Sequence, residues 1–284
     1  MTPSTLSAAS ESRAVALPER SILGGLASIS FRHLDPIQIV NLVMRAGLQS
    51  IEWGGDIHVP HGDLARAREV REMTLDQGLL FGPYGSYYRA GDSEGEGLSF
   101  EAVLDSATTL GVPLIRVWGG GRAWVEGDDA YINRVIDDLR RITAMAAKRD
   151  ILVCCECHSG SLTQSVSSTL EILRRVDHPN LRTHWQPTHG DTMENSIGEL
   201  THLAPWLFHV HVFHWWPDSN HRHLLSDGEE RWSCFFQKMA HIASLRFAML
   251  EFAKGDDPDI FLHDAAILTR LLKTSSGGPA DAAG

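Results

Sequence analysis

This sequence predicts an α/β fold, a parallel (β/α)8 barrel with outer helices, on three observations. Eight short apolar runs recur along its 284 residues. A longer segment with helical patterning follows each of them. No linker rich in Pro, Gly or Ser breaks the alternation, so a single domain carries all eight repeats.

The runs, in order, are "LASISF" (26–31), "QSIEW" (49–53), "LLFGPYG" (79–85), "LIRVWGG" (114–120), "ILVCCECH" (151–158), "LRTHWQP" (181–187), "LFHVHVF" (207–213) and "FAMLEFA" (247–253). The first helix is written plainly in "DPIQIVNLVMRAG", where Asp35 is the N-cap, Pro36 the first helical position and Gly47 the stop. "DLARAREVREMTLDQG" repeats that grammar with Asp63 and Gly78. Further helices are expected at 100–110, 128–148, 164–175, 196–203, 229–243 and 257–272. An open doubly wound sheet is the alternative. It would carry a glycine-rich phosphate loop after the first strand, and "SISFRHLDP" has none. Residues 1–20 are expected to form a disordered N-terminal arm, 21–273 the barrel and 274–284 a flexible tail.

Hydrophobic content of 43% and charged content of 21% suit a globular chain in water. No apolar run approaches the roughly 20 residues that span a bilayer. The first twenty residues hold no apolar core segment either, so a cytoplasmic location without membrane contact is expected. A net charge of −11 argues against nucleic acid as a partner, since phosphate binding wants a basic face. Fifteen histidines make a metal site easier to build. Of the cysteines, Cys154 and Cys157 have zinc-like spacing, but on a strand they point to opposite faces, and Cys234 offers no second pair. They are read as small buried apolar residues in a reducing compartment.

In such a barrel the chemistry sits at the C-terminal ends of the strands. Those ends present Glu52, then Arg116 and Trp118, then Glu156 and His158, then Gln186 and His189, then His209 and His211, and finally Glu251. Side-chain alternation puts 154, 156 and 158 on one face, as it does 209 with 211 and 247 with 249 and 251. Glu156, Gln186, His211 and Glu251 can then converge at one mouth. Two carboxylates, an imidazole and an amide oxygen suit a single divalent cation: Mn²⁺ first, with Mg²⁺, Co²⁺ or Zn²⁺ as alternatives.

These residues resemble the xylose-isomerase-like barrels, a superfamily of sugar phosphate isomerase/epimerase-like proteins related to AP endonuclease family 2. The family pattern is Glu on strand five, Asp on six, His on seven and Glu on eight. The chain matches it at Glu156, His211 and Glu251, and "QPTH" keeps a histidine three residues after the strand-six ligand. It departs at Gln186, where most relatives place Asp. "IEWGGDIHVPHGD", "YGSYYR", "IRVWGG" and "WQP" resemble a sugar-phosphate isomerase/epimerase-like branch.

The resemblance implies a metal-dependent isomerase or epimerase of a sugar or other polyhydroxy carbonyl compound. Glu156 and Glu251 would be the catalytic acid/base pair on either side of the substrate carbon. His158, His189, Arg116, Glu52, His58 and Trp118 are candidate substrate contacts. Each has a plainer alternative. Arg116 can simply neutralise carboxylates, Glu52 and His58 can be loop residues held by the backbone, and His184 and His209 read as hydrogen-bonded core histidines. The same proton abstraction with a leaving group gives a dehydratase or other lyase instead. A nuclease is disfavoured by the acidic balance, and the Asp-to-Gln departure leaves a non-catalytic sugar-binding homologue open. The expected partner is a small sugar-like or polyol-derived substrate, with homo-oligomerisation left open.

Overall fold

The computed structural model describes residues 21–276. The arm expected at 1–20 lies outside the described residues, and so does the tail beyond 276.

Eight parallel strands close into a barrel in chain order: β1 (Leu23–Ala27), β2 (Ser50–Gly54), β3 (Leu80–Arg89), β4 (Leu114–Trp118), β5 (Leu152–Glu156), β6 (Leu181–Trp185), β7 (Leu207–Val212) and β8 (Phe247–Leu250). Eight helices alternate with them: α1 (Pro36–Ala46), α2 (Leu64–Asp76), α3 (Phe100–Leu110), α4 (Asp129–Ala147), α5 (Val166–Val176), α6 (Met193–Leu203), α7 (Glu229–Met239) and α8 (Pro258–Ser276). Among the described residues no helix is long and apolar enough to cross a membrane.

Local chemistry sets the helix ends. Asp35 accepts a hydrogen bond from the Gln38 amide at 3.1 Å while the Gln38 side chain accepts one from the Asp35 amide at 2.9 Å, a reciprocal cap that satisfies two orphan donors. Gly47, at φ +65°, closes the same helix in the left-handed conformation that glycine adopts without penalty. α5 and α6 start behind Ser165 and Thr192, whose hydroxyls accept from the amides three residues on.

Expected at 26–31, the first strand instead runs from Leu23 to Ala27, and residues 28–31 form a 3₁₀ turn. Gly in a strand interior marks a close approach of neighbouring groups, and at Gly25 packing requires it. A Cβ on Gly25 would stand 2.4 Å from the Ser50 carbonyl oxygen and 2.4 Å from Met249 Sδ. Met249 therefore fills the barrel floor in space that glycine leaves open. It joins Leu23, Ala27, Ile29 and Phe247 in a buried inner cluster. Outward residues of the same strands, such as Leu26, Ile115, Val153, Cys155, Val210 and Leu250, pack against the helices in the larger core. The period-two alternation thus separates an inner stack from an outer one.

Gly25→Ala is expected to destabilise the fold by about 2–3 kcal/mol through overpacking. Met249→Ala in the same chain should not restore the loss, because the obstructing Ser50 oxygen is backbone. Denaturant titration of the single and double variants checks this.

Candidate active site

The inward face of the barrel carries an unusual load of polar groups for a packed interior. β2, β4 and β5 bring Glu52, Arg116 and Glu156 together, with side chains 2–4% exposed. The Arg116 Nε donates to Glu52 Oε1 at 2.7 Å, and its Nη1 donates to Glu156 Oε2. Glu156 Oε2 also accepts from the Trp118 indole at 2.7 Å. On the other side, Glu52 Oε2 lies 2.9 Å from His211 Nε2 and 3.0 Å from His209 Nε2. His211 Nδ1 then reaches to 3.1 Å from Glu251 Oε2. One chain of contacts, Glu156–Arg116–Glu52–His211–Glu251, crosses the barrel from β5 to the end of β8.

The electrostatics follow from burial and pairing. Burial opposes ionisation of Glu52 and Glu156, but Arg116 above all, with His211 next, holds Glu52 well below the carboxylate range and Glu156 below its ordinary value. Burial would lower Arg116, and Glu156 and Glu52 raise it well above its ordinary value instead. His209 falls to about 4 because burial outweighs Glu52. His184 is held well below the ordinary imidazole value, by burial and then by His211 and His209. His211 goes the other way. Burial opposes its charge, yet Glu251 and Glu52 on its two sides raise it to about 10. Three buried glutamates face one buried arginine in this interior. The place where positive charge is called for is His211 Nδ1 and its neighbours.

Above this layer a cavity of about 500 Å³ opens at the C-terminal end of the strands. Arg116, Trp118, Glu156, His158, Gln186, His189 and Glu251 line it, which brings seven of the expected site residues to one surface. His158 stacks on Trp118 at 4.2 Å between centroids, and its Nδ1 donates to the Ser159 carbonyl at 2.6 Å. His189 stacks on Trp215 at 5.2 Å. The Gln186 amide donates to the Cys157 carbonyl at 3.1 Å, while its Oε1 is buried with no protein partner.

Two expected contacts lie elsewhere. Glu52 is in the interior below the cavity, where it touches Arg116 and the histidines. His58 is also buried, with Nε2 donating to the Leu34 carbonyl at 3.1 Å and Nδ1 accepting from the Ser28 hydroxyl at 2.9 Å. Both its nitrogens are occupied in joining the loops after β1 and β2. The cysteines are free thiols, and burial pushes Cys155 up to about 12 and Cys157 up to about 11.

Two groupings could hold a cation. His184, His209 and His211 offer ring nitrogens within 4.8 Å of one another, all fully buried. The second is Glu156, Gln186, His211 and Glu251. His211 Nδ1 and Glu251 Oε2 are 3.1 Å apart without the alignment of a hydrogen bond. That is roughly the separation of two atoms each about 2.1 Å from one ion at a right angle. The unpartnered Gln186 oxygen lines the same cavity as Glu156 and Glu251, and the excess of buried carboxylates there suits a cation.

Sequence reasoning passed over Tyr87, which also lines the cavity. A signal was available: with Tyr84 and Tyr88 packed outward in the core, alternation turns residues 85 and 87 inward.

The sequence pattern of the xylose isomerase-like TIM barrel family matches residues 40–271. A 3-dehydroshikimate dehydratase of Bacillus anthracis is 25% identical over 195 residues, spanning 66% of this chain and 69% of that one. The crystal structure of a probable 3-DHS dehydratase of Bacillus anthracis superposes with a TM-score of 0.69 at 22% identity, over 87% of this chain and 98% of that one. D-psicose 3-epimerase of Clostridium cellulolyticum H10 gives a TM-score of 0.69 at 14% identity, over 90% and 100%. A xylose isomerase-like TIM barrel protein of Mycobacterium smegmatis in complex with magnesium gives 0.66 at 13%, over 90% and 98%. The structural likenesses establish a shared barrel.

Arg116→Met should destabilise the protein by about 3–5 kcal/mol, since it strands two carboxylates in the interior. Adding Glu52→Gln should recover part of that loss. A double-mutant cycle by denaturant unfolding reads the coupling, and additive losses would show that the two groups do not interact.

Proposed function

The chain belongs to the xylose isomerase-like TIM barrel family, and on that premise we propose a divalent-cation-dependent lyase. Its reaction would remove the proton next to the carbonyl of a polyhydroxy ketone and expel a β-hydroxyl as water. The substrate class is a cyclic keto-polyol of the 3-dehydroshikimate kind. Glu156, Gln186, His211 and Glu251 would hold the cation. When bound, it would polarise the carbonyl and stabilise the charge that develops as the proton leaves. The mouth is preferred to the three-histidine cluster because it opens on the cavity and supplies two carboxylates. The deeper cluster shares His211 with the mouth, and the carboxylate at the Nε2 atoms of His209 and His211 is Glu52, already bonded to Arg116.

One observation carries the choice of elimination: the two glutamates are not equivalent. Glu156 Oε2 accepts from both Arg116 and Trp118, which holds it ionised and makes it a weak base. The Glu251 carboxylate, among the described residues, pairs with His211 alone. Inversion of a centre wants two matched bases on opposite faces. Elimination needs only one. Glu251 takes the proton as the C–H bond breaks, the electron pair forms the C=C bond, the C–O bond breaks, and the same proton returns to the departing hydroxyl as water. His158, whose Nδ1 is held by the Ser159 carbonyl, would present Nε2 to a substrate hydroxyl. An isomerase or epimerase would share the first step, and the presence of both Glu156 and Glu251 on the cavity wall favours it as the second alternative.

Metal analysis, an ultraviolet assay of water loss from 3-dehydroshikimate, and deuterium wash-in on D-tagatose and D-fructose test this together. One Mn²⁺ per chain, cation-dependent water loss and reduced occupancy in Glu156→Gln and His211→Ala are expected. Glu251→Gln should lower kcat by roughly 10²–10⁴. Exchange on a ketose without water loss would put the epimerase first, and full occupancy in both ligand variants would end the site. Separately, Gln186→Asp adds a negative charge to the ligand set. It should tighten the cation while slowing turnover, which metal titration of both proteins checks.

A further inference from the structure

Tyr87 differs from every other tyrosine in the chain. The four tyrosines are Tyr84, Tyr87, Tyr88 and Tyr131. Tyr84 donates its phenolic proton to the Val59 carbonyl at 2.6 Å, Tyr88 to Asp138 at 2.9 Å and Tyr131 to Asp92 at 2.7 Å. Tyr87 donates to no described residue. Its oxygen accepts a long 3.3 Å bond from Arg32 Nη2 and makes no other side-chain hydrogen bond. It is also the one among the four that lines the cavity.

The backbone is bent to put it there. Tyr87 has φ +55°, a conformation that costs a bulky L-residue on the order of 1–3 kcal/mol. The register between β3 and β4 shifts between Gly85 and Arg89, so a bulge accompanies the kink. Bulges of this kind re-aim a side chain. The neighbours are anchored on either side, Ser86 to the Arg116 carbonyl at 2.7 Å and Tyr88 to Asp138, so the strain falls on the residue between them. The ring is then gripped by the active-site layer. The Arg116 guanidinium lies 5.4 Å from its centroid, and Trp118 meets it edge-on at 5.9 Å. With one side of the phenol oxygen taken by Arg32, the free O–H is left for the cavity.

We infer that Tyr87 is a specificity-determining residue, donating its phenolic hydrogen bond to an acceptor oxygen of the bound keto-polyol. The substrate class in that statement rests on the function proposed above. The free donor and the strained backbone do not. Tyr87 is half-buried at the cavity wall, and a bound substrate that covers its hydroxyl without offering an acceptor would leave the donor unpaired, which discriminates against such compounds.

Tyr87→Phe removes only the hydroxyl, and Tyr84→Phe, whose hydroxyl is bonded to backbone, serves as the structural control. Both are compared with wild type in Mn²⁺ content, thermal midpoint, and kcat/KM on 3-dehydroshikimate, D-tagatose and D-fructose. Tyr87→Phe should keep its cation and its midpoint and lose roughly tenfold in kcat/KM on whichever compound the wild type turns over. Tyr84→Phe should lose roughly 2–6 °C. Unchanged kcat/KM in Tyr87→Phe, with an active wild type, overturns the tyrosine assignment and leaves the lyase standing. A wild type inactive on all three compounds overturns the proposed function, and the stability pair then decides on Tyr87. A midpoint loss matching that of Tyr84→Phe sinks the assignment, and a neutral midpoint upholds it.

Discussion

Everything in the barrel interior depends on how one guanidinium is shared. Arg116 is 2% exposed and ties Glu52 on β2 to Glu156 on β5. Burying charges is costly unless they are paired and hydrogen-bonded, and among the described residues Arg116 is the one buried arginine or lysine set against three buried glutamates. What Arg116 leaves uncompensated appears at the far end of the contact chain. There Glu52 and Glu251 flank His211 and pull it toward the charged form against the effect of burial. An interior arranged this way favours positive charge at His211, which is itself fully buried and lies against Glu251 on the cavity wall.

The same sharing makes the two cavity glutamates unlike. Glu156 is fixed by Arg116 and by the Trp118 indole, and Trp118 is in turn covered by the His158 ring. Glu251, just past the end of β8, pairs among the described residues with His211 alone. The barrel frame holds this difference, because Arg116 and Cys154 are register partners, as are Trp118 and Glu156, and as are His211 and Met249. Glu52 therefore acts behind the cavity: it orients His211 through Nε2 and leaves Nδ1 facing Glu251, the carboxylate–histidine arrangement that tunes metal ligands.

Much of this was legible in the sequence. Alternation alone set Glu156, His211 and Glu251 on the inner face, because the apolar partners Cys155, Val210 and Leu250 required the outer one. Asp35, Pro36 and Gly47 bounded α1 by cap chemistry that acts within one turn. What was not legible came from contacts distant in the chain. Gly25 sits in a strand where Met249 and Ser50 leave no room for a side chain, and Gly24 where Leu272 and Leu48 press close. Glu52 could be taken for a loop residue until β4 and β7 were placed around it. For Tyr87, alternation could have shown the inward face, but the register shift and positive φ that re-aim the side chain are not announced by any propensity of "GSYYR". His58 carries no signal that separates a loop-joining imidazole from a substrate contact, since the difference lies in the Leu34 carbonyl and Ser28 hydroxyl that receive it.

The demand for a cation at the mouth is tested most directly by anomalous diffraction at the manganese edge from crystals grown with Mn²⁺. A single peak is predicted within bonding distance of His211 Nδ1, Glu251, Glu156 and the Gln186 Oε1 atom. A peak enclosed instead by His184, His209 and His211, or no peak in an otherwise ordered barrel, would contradict it.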